Sequence, residues 1–94
     1  MIFHVSSREA WAAARTSGVY GLGDDGFVHF SYGPQLTETV ARYYSGVPDL
    51  VVLVVDEAGL DARVEDGFPH LYEPLPVDRV ASVMPLQEAL ASVA

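Results

Sequence analysis

Leu50-Val51-Val52-Leu53-Val54-Val55 is an unbroken aliphatic run bounded by Pro48-Asp49 on one side and Asp56-Glu57 on the other. Successive strand residues point to opposite faces, and this run is β-branched and apolar on both. It is therefore predicted to be a strand buried in the middle of a sheet, around which the other elements are arranged.

On its N-terminal side, Ser6 followed three residues later by Glu9 reads as a capping box. The stretch Ala10 to Arg15, with Trp11 and Ala14 one turn apart, continues it as a helix that Gly18 ends. Gly21, Gly23, Asp24, Asp25 and Gly26 form a turn, after which a strand runs to about Ser31 and stops at Gly33-Pro34. Pro34 suits the first turn of a second helix, and Leu36, Val40, Tyr43 and Tyr44 give it an apolar stripe that ends before Gly46. On the C-terminal side, Arg63 to Glu65 reads as a short edge strand, Gly67 to Leu75 as a strand region beside two prolines, and Val77 to Met84 as a last strand. Pro85 to Ala94 closes the chain as a short helix. The order β-α-β-α-β-β-β-β-α predicts an α+β fold over residues 1–94: a small single domain with a mixed, mostly antiparallel split sheet and two to three short helices. It is not the βαβ pattern of a dinucleotide-binding Rossmann unit.

Composition narrows the function. The 94 residues are 50% apolar and 19% charged, which suits one globular core and excludes bulk disorder. Thirteen carboxylates against five arginines give a net charge of -8, which repels phosphate backbones and anionic lipid, so neither nucleic acid nor membrane is an expected partner. Without cysteine there is no disulfide framework and no thiolate zinc site. The start of the chain lacks the basic flank and long apolar core of a signal peptide, and no run approaches the ~20 apolar residues of a membrane span. A cytoplasmic location is the expectation.

All three histidines lie inside apolar, strand-like segments: Ile2-Phe3-His4-Val5, Gly26-Phe27-Val28-His29-Phe30-Ser31 and Phe68-Pro69-His70-Leu71-Tyr72. Alternation places His4 with Ile2 and Ser6, His29 with Phe27 and Ser31, and His70 with Phe68 and Tyr72. Phe3, Val5, Val28, Phe30 and Leu71 take the other side. If these strands present their imidazoles to one side of a sheet, the result is a pocket of imidazole, aromatic and hydroxyl groups over an apolar layer, suited to a small molecule. Imidazole titrates near pH 6.5, so His29 and His70 are the candidate catalytic acid and base. His4, Ser31, Tyr43, Tyr72 and Phe27 are candidate ligand contacts, and Arg8 a candidate anion clamp. The competing structural explanation is that such histidines simply pack with their ring nitrogens on backbone partners. No His-x-His or helical His-x-x-x-His pair points to a metal, and no Gly-x-Ser-x-Gly elbow points to a seryl hydrolase.

Phe3-His4-Val5, Trp11, Gly18-Val19-Tyr20, Asp25 to Ser31, Asp49 to Leu53 and Phe68 to Leu75, taken as a set, resemble the small bacterial family called domain of unknown function 952. The resemblance implies a compact split sheet grouped with the ADP-ribosyltransferases. A fainter similarity runs to the tRNA 2′-phosphotransferases, NAD-using members of that fold. It implies that His4 and His29 hold the nicotinamide ribose and its neighbour, with Tyr43 or Tyr72 near the ring. The chain lacks the basic residues those enzymes direct at tRNA.

Three functions follow. The first is an ADP-ribosyltransferase-like enzyme or degenerate enzyme, with NAD or a related small molecule as the ligand. The second is a cofactor-free isomerase, lyase or cyclase in which His29 and His70 act as general base and acid, each worth ~10²- to 10⁴-fold. The third is a non-catalytic binding domain, homodimeric through the Val51 to Val55 strand or an exposed tyrosine face.

Overall fold

In the computed structural model, which describes residues 1–93, every residue of the Leu50–Val55 run is buried in a strand. The strands are β1 (Ile2–Ser7), β2 (Val19–Tyr20), β3 (Val28–His29), β4 (Ser31–Tyr32), β5 (Leu50–Val55), β6 (Ala62–Glu65), β7 (Phe68–Leu71), β8 (Leu75–Pro76) and β9 (Val80–Pro85). Three helices accompany them: α1 (Arg8–Ser17), α2 (Gly33–Tyr43) and α3 (Leu86–Val93). A single 3₁₀ turn, Val77–Arg79, leads into β9.

β5 lies inside a four-stranded sheet of order β4-β1-β5-β9. β1 pairs with it along its whole length, from Ile2 opposite Val55 to Ser7 opposite Leu50. Two smaller sheets, β3-β7-β6 and β2-β8, complete the fold. The sheet is split, as expected, but every pairing is antiparallel rather than mixed. Parallel neighbours need a crossover that returns the chain to its starting end, and no connection between paired strands here does so.

Alternation along the central strands builds two cores. On one face Val5, Leu50 and Val52 pack with Leu36 and Val40 of α2 and Ala89 of α3. On the other, Ile2 and Val55 pack with Val28, Phe30, Leu71 and Leu75 from the small sheets. Each valine, leucine, isoleucine or phenylalanine among them contributes about 1.5–3 kcal/mol on burial. The three layers fit within a radius of gyration of 12.2 Å, close to the ~12 Å expected of one compact domain of this size.

Several elements differ from expectation. Ser7, not Ser6, caps α1: its hydroxyl accepts from the Ala10 N–H at 3.0 Å, because β1 runs on to Ser7 and the helix begins only after it. The His29 strand does not run on to Ser31 within one sheet. The chain leaves β7 after His29, passes through the fully buried Phe30, and joins β1 at Ser31. The two-residue strand β2 lies between the expected helix and turn, and β8 begins at Leu75, the last residue of the expected Gly67 to Leu75 strand region; two residues carry no periodicity of their own. On α2 the buried stripe is Leu36, Thr39 and Val40, with Tyr44 partly buried, while Tyr43 is exposed. The last helix begins at Leu86, and Ala94 lies outside the described residues. The Val51 to Val55 strand has no free edge: β5 is flanked by β1 and β9 and covered on both faces.

Candidate functional site

The register of the small sheet brings two of the three imidazoles together. β3 and β7 pair Val28 with Leu71 and His29 with His70. Val28 and Leu71 turn into the core, so the two histidines share the opposite face, their ring centroids 5.3 Å apart. Phe27 stacks on His70 at 4.1 Å and 16°, and Phe68 lies 5.5 Å from His29. These rings floor a cleft of about 730 Å³ whose opposite wall is α2, through Glu38, Thr39, Arg42 and Tyr43. The Gln35 amide donates to the Gly67 carbonyl at 2.8 Å and fastens that wall to the β6–β7 turn.

A carboxylate orients one imidazole. Glu65 Oε1 lies 3.2 Å from His70 Nδ1 and also accepts from the Tyr72 hydroxyl. A carboxylate only accepts, so Nδ1 of His70 carries a proton and Nε2 is left for exchange. The Tyr72 hydrogen bond, and then His70, hold the Glu65 carboxyl below its ordinary range, while the same bond raises the Tyr72 phenol. His70 is 14% exposed and Glu65 47%, so the ring is sheltered while its partner meets solvent. Burial lowers the pKa of His29, and the neighbouring His70 lowers it further, against a smaller opposing pull from Asp25. Its neutral form is favoured at neutral pH.

His4 stands apart from this cleft. It projects from β1 into the layer between the sheets, with Nδ1 2.5 Å from the His29 carbonyl and Nε2 3.1 Å from the Tyr20 hydroxyl. A carbonyl cannot donate, so His4 Nδ1–H is the donor. Burial, its largest cause, pushes the His4 pKa down to about 4, so the ring is neutral and its Nε2 faces the Tyr20 hydroxyl. The Tyr20 oxygen also lies 2.9 Å from Ser6 Oγ. His4 thus holds the backbone of His29, and the expectation that all three imidazoles open on one hollow is corrected to two. It borders a second cleft of about 800 Å³, between α1 and the 20–27 loop. Asp25, Phe27, His29 and Tyr44 line both clefts.

The other expected contacts divide. Tyr43 lines the first cleft, and Tyr72 sits at its margin beside Phe27 and His70. Ser31 is buried and lines neither cleft, its hydroxyl 3.0 Å from that of Thr39, because the strand changes sheets before it. Arg8 opens α1, exposed and lining neither cleft, its backbone N–H donating to the Asp49 carbonyl. Among the described residues no group of three or more His, Cys, Asp or Glu is placed to hold a metal ion. No described helix is long and apolar enough to cross a membrane.

Glu65 is not among the residues expected at the site. Its signal was nevertheless present in Glu65-Asp66-Gly67-Phe68, where Asp-Gly marks a two-residue hairpin turn. Both turn residues take positive φ, 52° and 84°, and the hairpin sets Glu65 opposite Phe68 and Arg63 opposite His70.

Fold and site together define a small α+β domain with an imidazole-floored cleft under a helix. The chain belongs to the family described as Protein of unknown function (DUF952), whose model matches residues 5–83. It is similar to protein CC0527 from Caulobacter crescentus. The crystal structure of that protein is 33% identical with a TM-score of 0.82, covering 96% of this chain and 97% of that one. Its solution structure is 34% identical with a TM-score of 0.74, covering 87% and 80%. No curated protein matches the chain.

Proposed function

We propose that the cleft between α2 and the β3-β7-β6 sheet is the active site of a cofactor-free enzyme that moves a proton on a small metabolite. The observation that carries this reading is the His29–His70 pair, opposed on one rung and open to a cavity of metabolite size. His29, neutral because its charged form is disfavoured, is the base that takes a proton from a C–H bond. His70, fixed by Glu65, is the acid that returns a proton at a second atom, with the carboxylate as counter-charge. Ring centroids 5.3 Å apart suit transfer between neighbouring atoms of one substrate, as in isomerisation, elimination or cyclisation. Such an enzyme exchanges substrate C–H with solvent. In D₂O with a pool of small metabolites, the wild-type protein is expected to label or convert a component that His29→Ala and His70→Ala leave untouched. Identical metabolite spectra for all three proteins overturn the reading.

A second reading follows from the two clefts that share His29. Two clefts that share Asp25, Phe27, His29 and Tyr44 suit a two-part ligand, which is the ground for the ADP-ribosyltransferase-like reading with NAD bound along both. Two features weigh against it: both His4 nitrogens are already engaged, and the carboxylates of the first cleft oppose a pyrophosphate. NAD at ~100 times its dissociation constant adds about 2.7 kcal/mol and raises the melting point by roughly 10 °C. No shift at millimolar NAD ends this reading.

A further inference from the structure

We propose that the ligand of the His29–His70 cleft is a planar organic cation, an inference that rests on the cleft being a ligand site. Shape comes first. Phe68, His29, His70, Phe27 and Tyr72 form a continuous series of rings, with successive centroids 5.5, 5.3, 4.1 and 5.3 Å apart. Phe27 covers one face of His70, and the remaining π-faces and ring edges of the series suit a flat molecule better than a branched one.

Charge then selects among flat molecules. With Arg63 over the Tyr72 ring at 5.6 Å on the margin, the lining carries Asp25, Glu38, Glu65 and Asp66 against the guanidinium of Arg42. That guanidinium is itself placed over the Tyr43 ring at 6.0 Å, so the aromatic wall already holds a cation. Glu65 stays ionised because it accepts from Tyr72 and His70. An anion entering the cleft loses water while facing these carboxylates, and a neutral ring gains stacking alone. A planar cation gains stacking, ring-quadrupole attraction and the field of the carboxylates together. Substrates of this class carry a protonated or quaternary nitrogen on or beside a flat ring. The positive charge also acidifies a neighbouring C–H bond, the bond that His29 is placed to break.

The probes are phenyltrimethylammonium, benzyl alcohol and benzoate, matched in their ring and differing in charge. Binding is read from the ring C–H signals of His29 and His70 by NMR at low salt. Phenyltrimethylammonium is expected to shift both histidines and to bind at least about tenfold more tightly than the other two. The exposed pair Asp25→Asn and Glu38→Gln is expected to weaken the cation severalfold and leave benzyl alcohol unchanged. Equal or tighter binding of benzyl alcohol or benzoate overturns the charge selection. So does the absence of any histidine shift at about 10 mM phenyltrimethylammonium. Either failure leaves the D₂O exchange experiment standing, because that experiment reads proton transfer whatever the charge of the substrate.

Discussion

His29 and His70 are partners on one antiparallel rung, and their imidazole centroids lie 5.3 Å apart on the outer face of the small sheet. Two like charges at this separation disfavour each other, so protonation of one ring resists protonation of its neighbour. His70→Gln removes that charge and is expected to raise the His29 titration midpoint, though not fully to 6.5, because burial is the larger cause and remains. The C2–H shift of His29 followed against pH checks this, and an unmoved midpoint contradicts it.

His4 gives the protein an acid-sensitive joint. Unfolded, it takes up a proton near pH 6.5; folded, only near 4. Between these values the unfolded chain holds more protons, so stability is complete above pH 6.5 and is lost as pH falls towards 4. The contribution is at most about 3 kcal/mol. His29 is shifted the same way, so His4→Phe should flatten the acid-side slope without abolishing it. Urea midpoints measured at pH 7 and pH 4.5 provide the comparison.

Glu65→Gln replaces an acceptor-only group with one that can also donate, and removes the reason for His70 to carry its proton on Nδ1. Ring ¹⁵N shifts should show the Nδ1–H tautomer dominant in the wild type and diminished in the variant. Solvent exchange at the substrate is expected to fall while the melting point stays unchanged. Tyr72→Phe should have the same effect more weakly, since it acts on His70 only through Glu65.

Ser7→Ala should destabilise the protein by about 1 kcal/mol through loss of the α1 cap. Phe30→Ala should cost about 3–5 kcal/mol, because Phe30 is fully buried where the two sheets meet. Denaturant unfolding measures both, and a near-neutral Ser7→Ala would return the cap to Ser6.

Much of this architecture is written in residue alternation. The aliphatic pattern of Leu50–Val55 leaves no polar face, and the strand is found inside the sheet. Alternation also places Val28, Phe30 and Leu71 inward, which sends His29 and His70 outward. It does not reveal which strands pair, since register between distant segments depends on contacts that no local pattern contains. His4 and His29 have similar surroundings in sequence, yet one lies between the layers and the other opens on a cleft. Ser6 and Ser7 both fit a cap, and only the reach of β1 to Ser7 decides between them. Ser31 belonged with His29 by spacing alone until the change of sheet at Phe30 turned it towards Thr39.

That change of sheet governs how the cleft can move. The peptide joining His29 to Phe30 is gripped from both sides: its carbonyl by the His4 ring, its N–H by the Pro69 carbonyl at 3.0 Å. Sliding this segment would unfasten the upper and lower storeys of the molecule at once, so the base rides on an immobile post. Accommodation of an incoming molecule therefore falls to rotation of the His29 ring and to the exposed Tyr43 across the cleft.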